Sequence, residues 1–173
     1  MSAASPAPTA LQVDIVVDVP IDFAYRVFTE RFDEIKPREH NLLAVPIERT
    51  VLEPHAGGTV YDVGTDGTVC TWARVLACDP PHSLTISWDI SPQWRIEADP
   101  GRTSEVEIRF VAETPARTRV EIEHRHLDRQ VGPDLDDPLV DLAVLKVDAD
   151  LPGRADDLGH PTRQHPAVRV AQD

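Results

Sequence analysis

The stretch "SEVEIRFVAETPARTRVEIEHRHL", residues 104–127, decides the fold class. Val106, Ile108, Phe110 and Ala112 alternate with Glu105, Glu107 and Arg109. Further on, Val120, Ile122, His124 and His126 share a face opposite Glu121, Glu123 and Arg125. A period of two over that length reads as a half-buried β-strand, one apolar face inward and one charged face outward. The segment "TPART" between the two runs is too short for a crossover, so the two strands pair antiparallel.

Working outward, the same grammar repeats upstream. "IERTVLE" ends at "PHAGG", "TVYDV" at "GTDG", "VCTWARVLA" at "CDPPH" and "SLTISWDI" at the longer loop "SPQWRIEADPGRT". Glycine and proline clusters supply the turns. At the N-terminal end, "LQVDIVVDV" places Leu11, Val13, Ile15, Val17 and Val19 on one strand face. Pro20 ends that strand and suits a helix start, with Asp22 in the first turn, where a carboxylate favours the helix dipole. Ala24, Val27, Phe28, Phe32 and Ile35 then follow at helical spacing and predict one helix over "IDFAYRVFTERFDEI". One strand, a helix and about six sequential strands make an α+β layer with a helix packed on a curved antiparallel sheet.

Composition narrows the function classes. The chain has 173 residues and 41% hydrophobic content, enough for one domain with a real core. Its formal net charge is −13 and it has no dense basic cluster, so phosphate-backbone recognition and anionic membranes are poor partners. No apolar run approaches the ~20 residues of a membrane span, and the N-terminal ten residues lack the pattern of a secretory signal. Residues 1–10 read as a disordered lead and the expected location is the cytoplasm. Cys70 and Cys78 fall on one strand-like run, too far apart along it to form a disulfide, and read as small hydrophobes.

Taken as a set, "PIDFAYRVFTERFDEIKP", Gly57-Gly58, Trp72, the Asp79-Pro80-Pro81 turn, Trp88, the Glu105-Val106 strand and Glu123-His124 resemble the SRPBCC (START-like) superfamily. The likeness is to its bacterial branch related to the activator of heat-shock protein 90 ATPase homologue, over residues 11–129. The resemblance implies a helix-grip fold: about seven antiparallel strands curled around a long C-terminal helix, with a cavity between. It also implies a small hydrophobic or aromatic ligand in that cavity. Alternatives from the same superfamily are a cyclase- or hydrolase-like enzyme using the cavity, and a chaperone-cofactor-like interaction module. A homo-oligomer is a further possibility, should the concave face lack its helix.

The chain departs from that family after residue 129. All nine aromatics lie between Phe23 and Phe110, and five prolines interrupt residues 130–173. No long amphipathic helix is recognisable there. Two readings stand: translation in a shifted frame past codon 130, or true divergence with 138–147 as a short substitute helix. From about Leu151 onward the composition reads as disordered.

Candidate residues follow from aromatic and ionisable placement. Phe28, Trp72, Trp88, Trp94 and His124 are the expected ligand-binding residues, because rigid aromatic walls with few polar groups suit an apolar pocket. Core packing is the competing reading for Trp88. Trp94 lies in the long loop expected at the cavity mouth, and His124 is the polar group an enzyme would use. His124 and His126 have the spacing of two metal ligands on one strand, but nothing supplies a third, so no metal site is expected. No catalytic residue or cofactor is assigned, since phosphate-loop, dinucleotide and nucleophile-elbow motifs are all missing.

Overall fold

The structure, a computed structural model, describes residues 9–130 and the backbone of residues 167–171. The strands are β1 Ala10–Val17, β2 Ile47–Leu52, β3 Thr59–Gly64, β4 Val69–Asp79, β5 Ser83–Trp88, β6 Ser104–Thr114, β7 Arg117–Arg125 and β8 Ala167–Ala171. They form one sheet in the order β2-β3-β4-β5-β6-β7-β1-β8. The meander expected from the turn residues is therefore present from β2 to β7. The first strand in sequence closes onto the last of the meander, with Leu11 opposite His124, Val13 opposite Ile122 and Ile15 opposite Val120. This curled antiparallel sheet gripping helices on one face is the helix-grip arrangement.

The registry explains the core. Ile86 pairs with Val106 and Leu84 with Ile108, while Val106 faces His124, Ile108 faces Ile122 and Phe110 faces Val120. These inward side chains line one face and are buried. The outward face carries ion pairs instead. Arg125 reaches Glu105 and Glu107, Arg109 reaches Glu121, and Arg119 reaches Asp14 and Glu113. Such exposed pairs contribute ~0–1 kcal/mol each, so the apolar face carries the stability.

The predicted single helix is two. Helix α1 spans Ile21–Glu30 and α2 spans Phe32–Ile35, with the break at Arg31, whose φ of −118° and ψ of 27° leave the helical well. The break leaves the aromatic face continuous. Phe28 contacts Phe32 at 5.5 Å and Phe110 at 5.8 Å between ring centroids, and Tyr25 contacts Phe110 at 5.3 Å. Burying a ring of that size stabilises by about 1.5–3 kcal/mol.

Two glycines make the turn before β3. Gly57 has a φ of +87°, and a side chain on Gly58 would place its Cβ 2.4 Å from the carbonyl oxygen of Glu53. That close approach lets the turn dock on β4: Gly57 N–H donates to Val75 O and Val75 N–H to Gly58 O. At the opposite turn, the Pro80–Pro81 peptide bond is cis.

One local expectation changes. β7 ends at Arg125, and His126 takes a left-handed conformation with φ of 60°. The alternation that put His124 and His126 on one face therefore stops at the strand end. His126 is partly exposed and lies 3.7 Å from Glu105, whereas His124 is buried. Residues 167–171 pair antiparallel with β1, with Ala171 opposite Ala10 and Ala167 opposite Asp14. The helix expected over 138–147 lies outside the described residues.

Candidate functional site

Lys36 follows α2, and the loop after it crosses toward β3. Its ammonium donates to the carbonyl of His40 at 2.8 Å and to Asp62 Oδ2 at 2.9 Å. Asp62 belongs to β3 and occupies an inward position next after Val60, where the strand pattern calls for an apolar residue. Its other oxygen accepts from the Thr50 hydroxyl on β2 at 2.6 Å. Both ions are sequestered, with side-chain exposures of 4% and 1%. Burying two charges is costly, and the short hydrogen bonds to His40, Asp62 and Thr50 offset part of that cost.

Trp72, on β4, lies under this pair. Its ring centroid is 5.6 Å from Lys36 Nζ, within range of a cation–π contact. It also touches Phe32 at 6.3 Å and Trp88 at 5.6 Å. Trp72 is 1% exposed, and its indole N–H has no hydrogen-bond partner among the described residues. A buried donor left unpaired is uncommon and costs about 1–3 kcal/mol.

These groups floor a small cleft. Lys36, Asp62 and Trp72 lie at its base, with Leu42 and Ile90 as walls and His40 and Trp94 beside them. As it stands it has room for roughly one water molecule. Two loops frame it, residues 36–46 and 89–103. The base of the second is anchored: Arg74 on β4 grips Asp89 through two hydrogen bonds of 3.0 Å, and Asp89 N–H donates to Trp72 O. At the tip the backbone closes a turn, with Ser91 N–H donating to Arg95 O at 2.7 Å and Trp94 N–H to Ser91 O at 2.9 Å, and the Trp94 side chain projects from it. Trp94 has a φ of 59°, is 42% exposed, and donates from its indole to Asn41 O over 3.4 Å. The His40 ring meets it edge-on at 5.9 Å. A non-glycine residue with positive φ at a loop tip stores roughly 1 kcal/mol or more.

The five residues singled out from sequence therefore divide. Trp72 and Trp94 line the cleft. Phe28 sits in the core between Phe32 and Phe110. Trp88 packs on Trp72 from the other side, and His124 lies against Trp88 at 5.5 Å. His124 shares a 2.6 Å hydrogen bond with the Ser104 hydroxyl. Burial pushes its pKa down to about 3, so the ring is neutral near pH 7. Among the described residues, no group of three or more His, Cys, Asp or Glu stands close enough to hold a metal ion.

The cysteines lie on β4 as free thiols, and both are only half-buried rather than core hydrophobes. Burial pushes the Cys70 thiol up, away from the reactive thiolate. Cys78 Sγ lies 2.9 Å from the Tyr25 hydroxyl.

Lys36 and Asp62 were not among the expected site residues, though each left a trace. Lys36 is one of two lysines in a chain whose other cations are arginines. Asp62 is a carboxylate at an inward strand position. What sequence could not supply was their meeting across 26 residues.

Comparisons with known proteins bear on the family and the fold. The family model described as Activator of Hsp90 ATPase homolog 1-like protein matches residues 18–135. Among solved structures, the anthrahydroquino-gamma-pyrone synthase Txn09, determined in a complex, is similar at 34% identity. The match covers 73% of this chain and 82% of that one, with a TM-score of 0.53. An Hsp90 activator from Plasmodium falciparum is similar at 16% identity, covering 68% and 73%, with a TM-score of 0.46. A protein from Nitrosomonas europaea is similar at 17% identity, covering 72% and 79%, with a TM-score of 0.49. No curated protein matches the chain. Among the described residues no helix is long and apolar enough to cross a membrane.

Proposed function

Because the chain belongs to the Activator of Hsp90 ATPase homolog 1-like family, we propose that it is a small-molecule binding module that takes a planar, largely apolar ligand into the cleft under Trp94. The observation that carries this is the makeup of the cleft: Leu42, Ile90 and two tryptophans around a buried ion pair. Apolar walls with a few fixed polar groups are the general design of ligand sites. A cleft with room for one water must widen to admit such a ligand. The Trp94 side chain is the element that moves, since its indole hydrogen bond to Asn41 is long and the residue is 42% exposed.

Calorimetric titration with a set of naphthalene-ring compounds tests this. Saturable one-site binding is expected, weakened at least tenfold by Trp94→Ala. Absence of saturable binding across the set, or binding indifferent to Trp94→Ala, would sink the proposal.

A second reading is favoured by the 34% identity to Txn09, an anthrahydroquino-gamma-pyrone synthase. In this reading the cleft holds an aromatic polyketide-like substrate during a cyclase-type reaction, with the Lys36 ammonium as proton donor. His124 is not among the residues that line the cleft, so Lys36 takes the role first considered for it. Loss of turnover in Lys36→Met/Asp62→Leu with ligand binding retained supports catalysis. Equal turnover in the variant refutes it.

A further inference from the structure

The floor of the cleft has two hydrogen-bond donors left over. An ammonium carries three N–H donors. Two of those of Lys36 are taken, by His40 O and Asp62 Oδ2. The third has no oxygen or nitrogen partner among the described residues, and Nζ stands 5.6 Å from the Trp72 ring centroid. Trp72 adds a buried indole N–H with no partner. Each Asp62 oxygen already accepts one hydrogen bond, Oδ2 from Lys36 and Oδ1 from Thr50. What Lys36 and Trp72 leave over is therefore two donors.

Resting on the binding reading above, we propose that this floor recognises an acceptor oxygen, so that the ligand is an aromatic ketone or related enolate carrying its oxygen inward. The Trp72 N–H and the third Lys36 proton call for the same kind of partner, an acceptor oxygen. A purely hydrocarbon ligand would leave the two donors buried and dry, which is the state a site disfavours most. Discrimination then follows from the penalty for the wrong ligand as much as from attraction to the right one.

The test is a pair of probes of the same shape, 2-acetylnaphthalene and 2-isopropenylnaphthalene, in which C=O is exchanged for C=CH2. Calorimetry on the full chain should show the ketone binding at least tenfold more tightly. Trp72→Phe keeps an aromatic ring and removes the N–H. In it the ketone should lose most of that advantage over the hydrocarbon. Equal affinity of the two probes for the wild-type protein overturns the acceptor proposal and leaves the cleft reading intact. Binding of neither overturns both. If Trp72→Phe does not fold, the wild-type comparison still decides, because it needs no variant.

Discussion

Asp62→Ala is the most searching perturbation of the site. The substitution leaves the Lys36 ammonium, 4% exposed, without its counter-ion, and the Thr50 hydroxyl without its acceptor. Removing one partner of a buried pair costs about 3–5 kcal/mol, because an uncompensated charge remains in a dry environment. For a domain of this length, each kcal/mol lowers Tm by about 2–4 °C, so a fall of roughly 6–20 °C is expected. Replacing both members, as Lys36→Met/Asp62→Leu, should recover most of the loss. Methionine keeps the aliphatic stem over Trp72, and no ion is left to desolvate. Differential scanning calorimetry of the wild type, Lys36→Met, Asp62→Leu and the double variant completes the cycle, with Asp62→Ala measured beside it. A loss under about 1 kcal/mol for Asp62→Ala would show that water reaches the pair and that the description of the floor is wrong. A double variant as damaged as the sum of the singles would refute the coupling between Lys36 and Asp62.

Three further outcomes are expected. His124 has a folded pKa of about 3 against an ordinary 6.5, so it contributes stability that is fully present above pH 6.5 and is lost as pH falls toward 3. His124→Phe combined with Ser104→Ala should flatten that acid limb by up to about 5 kcal/mol in denaturant titrations run across this pH range; an unchanged slope removes His124 as its source. Gly58→Ala should cost more than Gly57→Ala in chemical denaturation. The first drives a Cβ to 2.4 Å from a backbone oxygen, about 1–3 kcal/mol as overpacking, while the second meets open space and strains φ alone, at about 1–2 kcal/mol. Trp94→Gly should leave stability within about 1 kcal/mol of wild type, since relief of the positive φ offsets the lost contacts with Asn41 and His40, and a thermal scan showing a large drop would contradict the loose hold on the Trp94 side chain.

Much of the scaffold was legible because strand periodicity and turn chemistry are local. The alternation of Val106, Ile108 and Phe110 with Glu105, Glu107 and Arg109 names its own inner and outer faces, and the outer carboxylates do meet Arg109 and Arg125. The break at Arg31 was not legible. Phe28 and Phe32 keep helical spacing across it, so the hydrophobic pattern carries no mark of the change in direction. The His124–His126 pair misled for the related reason that alternation in sequence continues one residue past the end of the strand. Rings were easier to find than to assign. Trp72, Trp88 and Phe28 are all large and apolar, and nothing in their spacing says that Trp72 borders the cleft while Phe28 is enclosed by Phe32 and Phe110.

The sequence by itself determined the class of the fold, the order of the meander, the face each strand buries and the two glycines at the turn before β3. Each of these rests on neighbours a few residues apart, where backbone sterics and the period of the element decide the outcome. Tertiary structure alone decided the site. It brought Lys36, Thr50, Asp62 and Trp72 together from a loop and three strands. Whether a lysine or an aspartate is solvated or buried as one of a pair depends on what the other segments exclude, and water exclusion is a property of the assembled core.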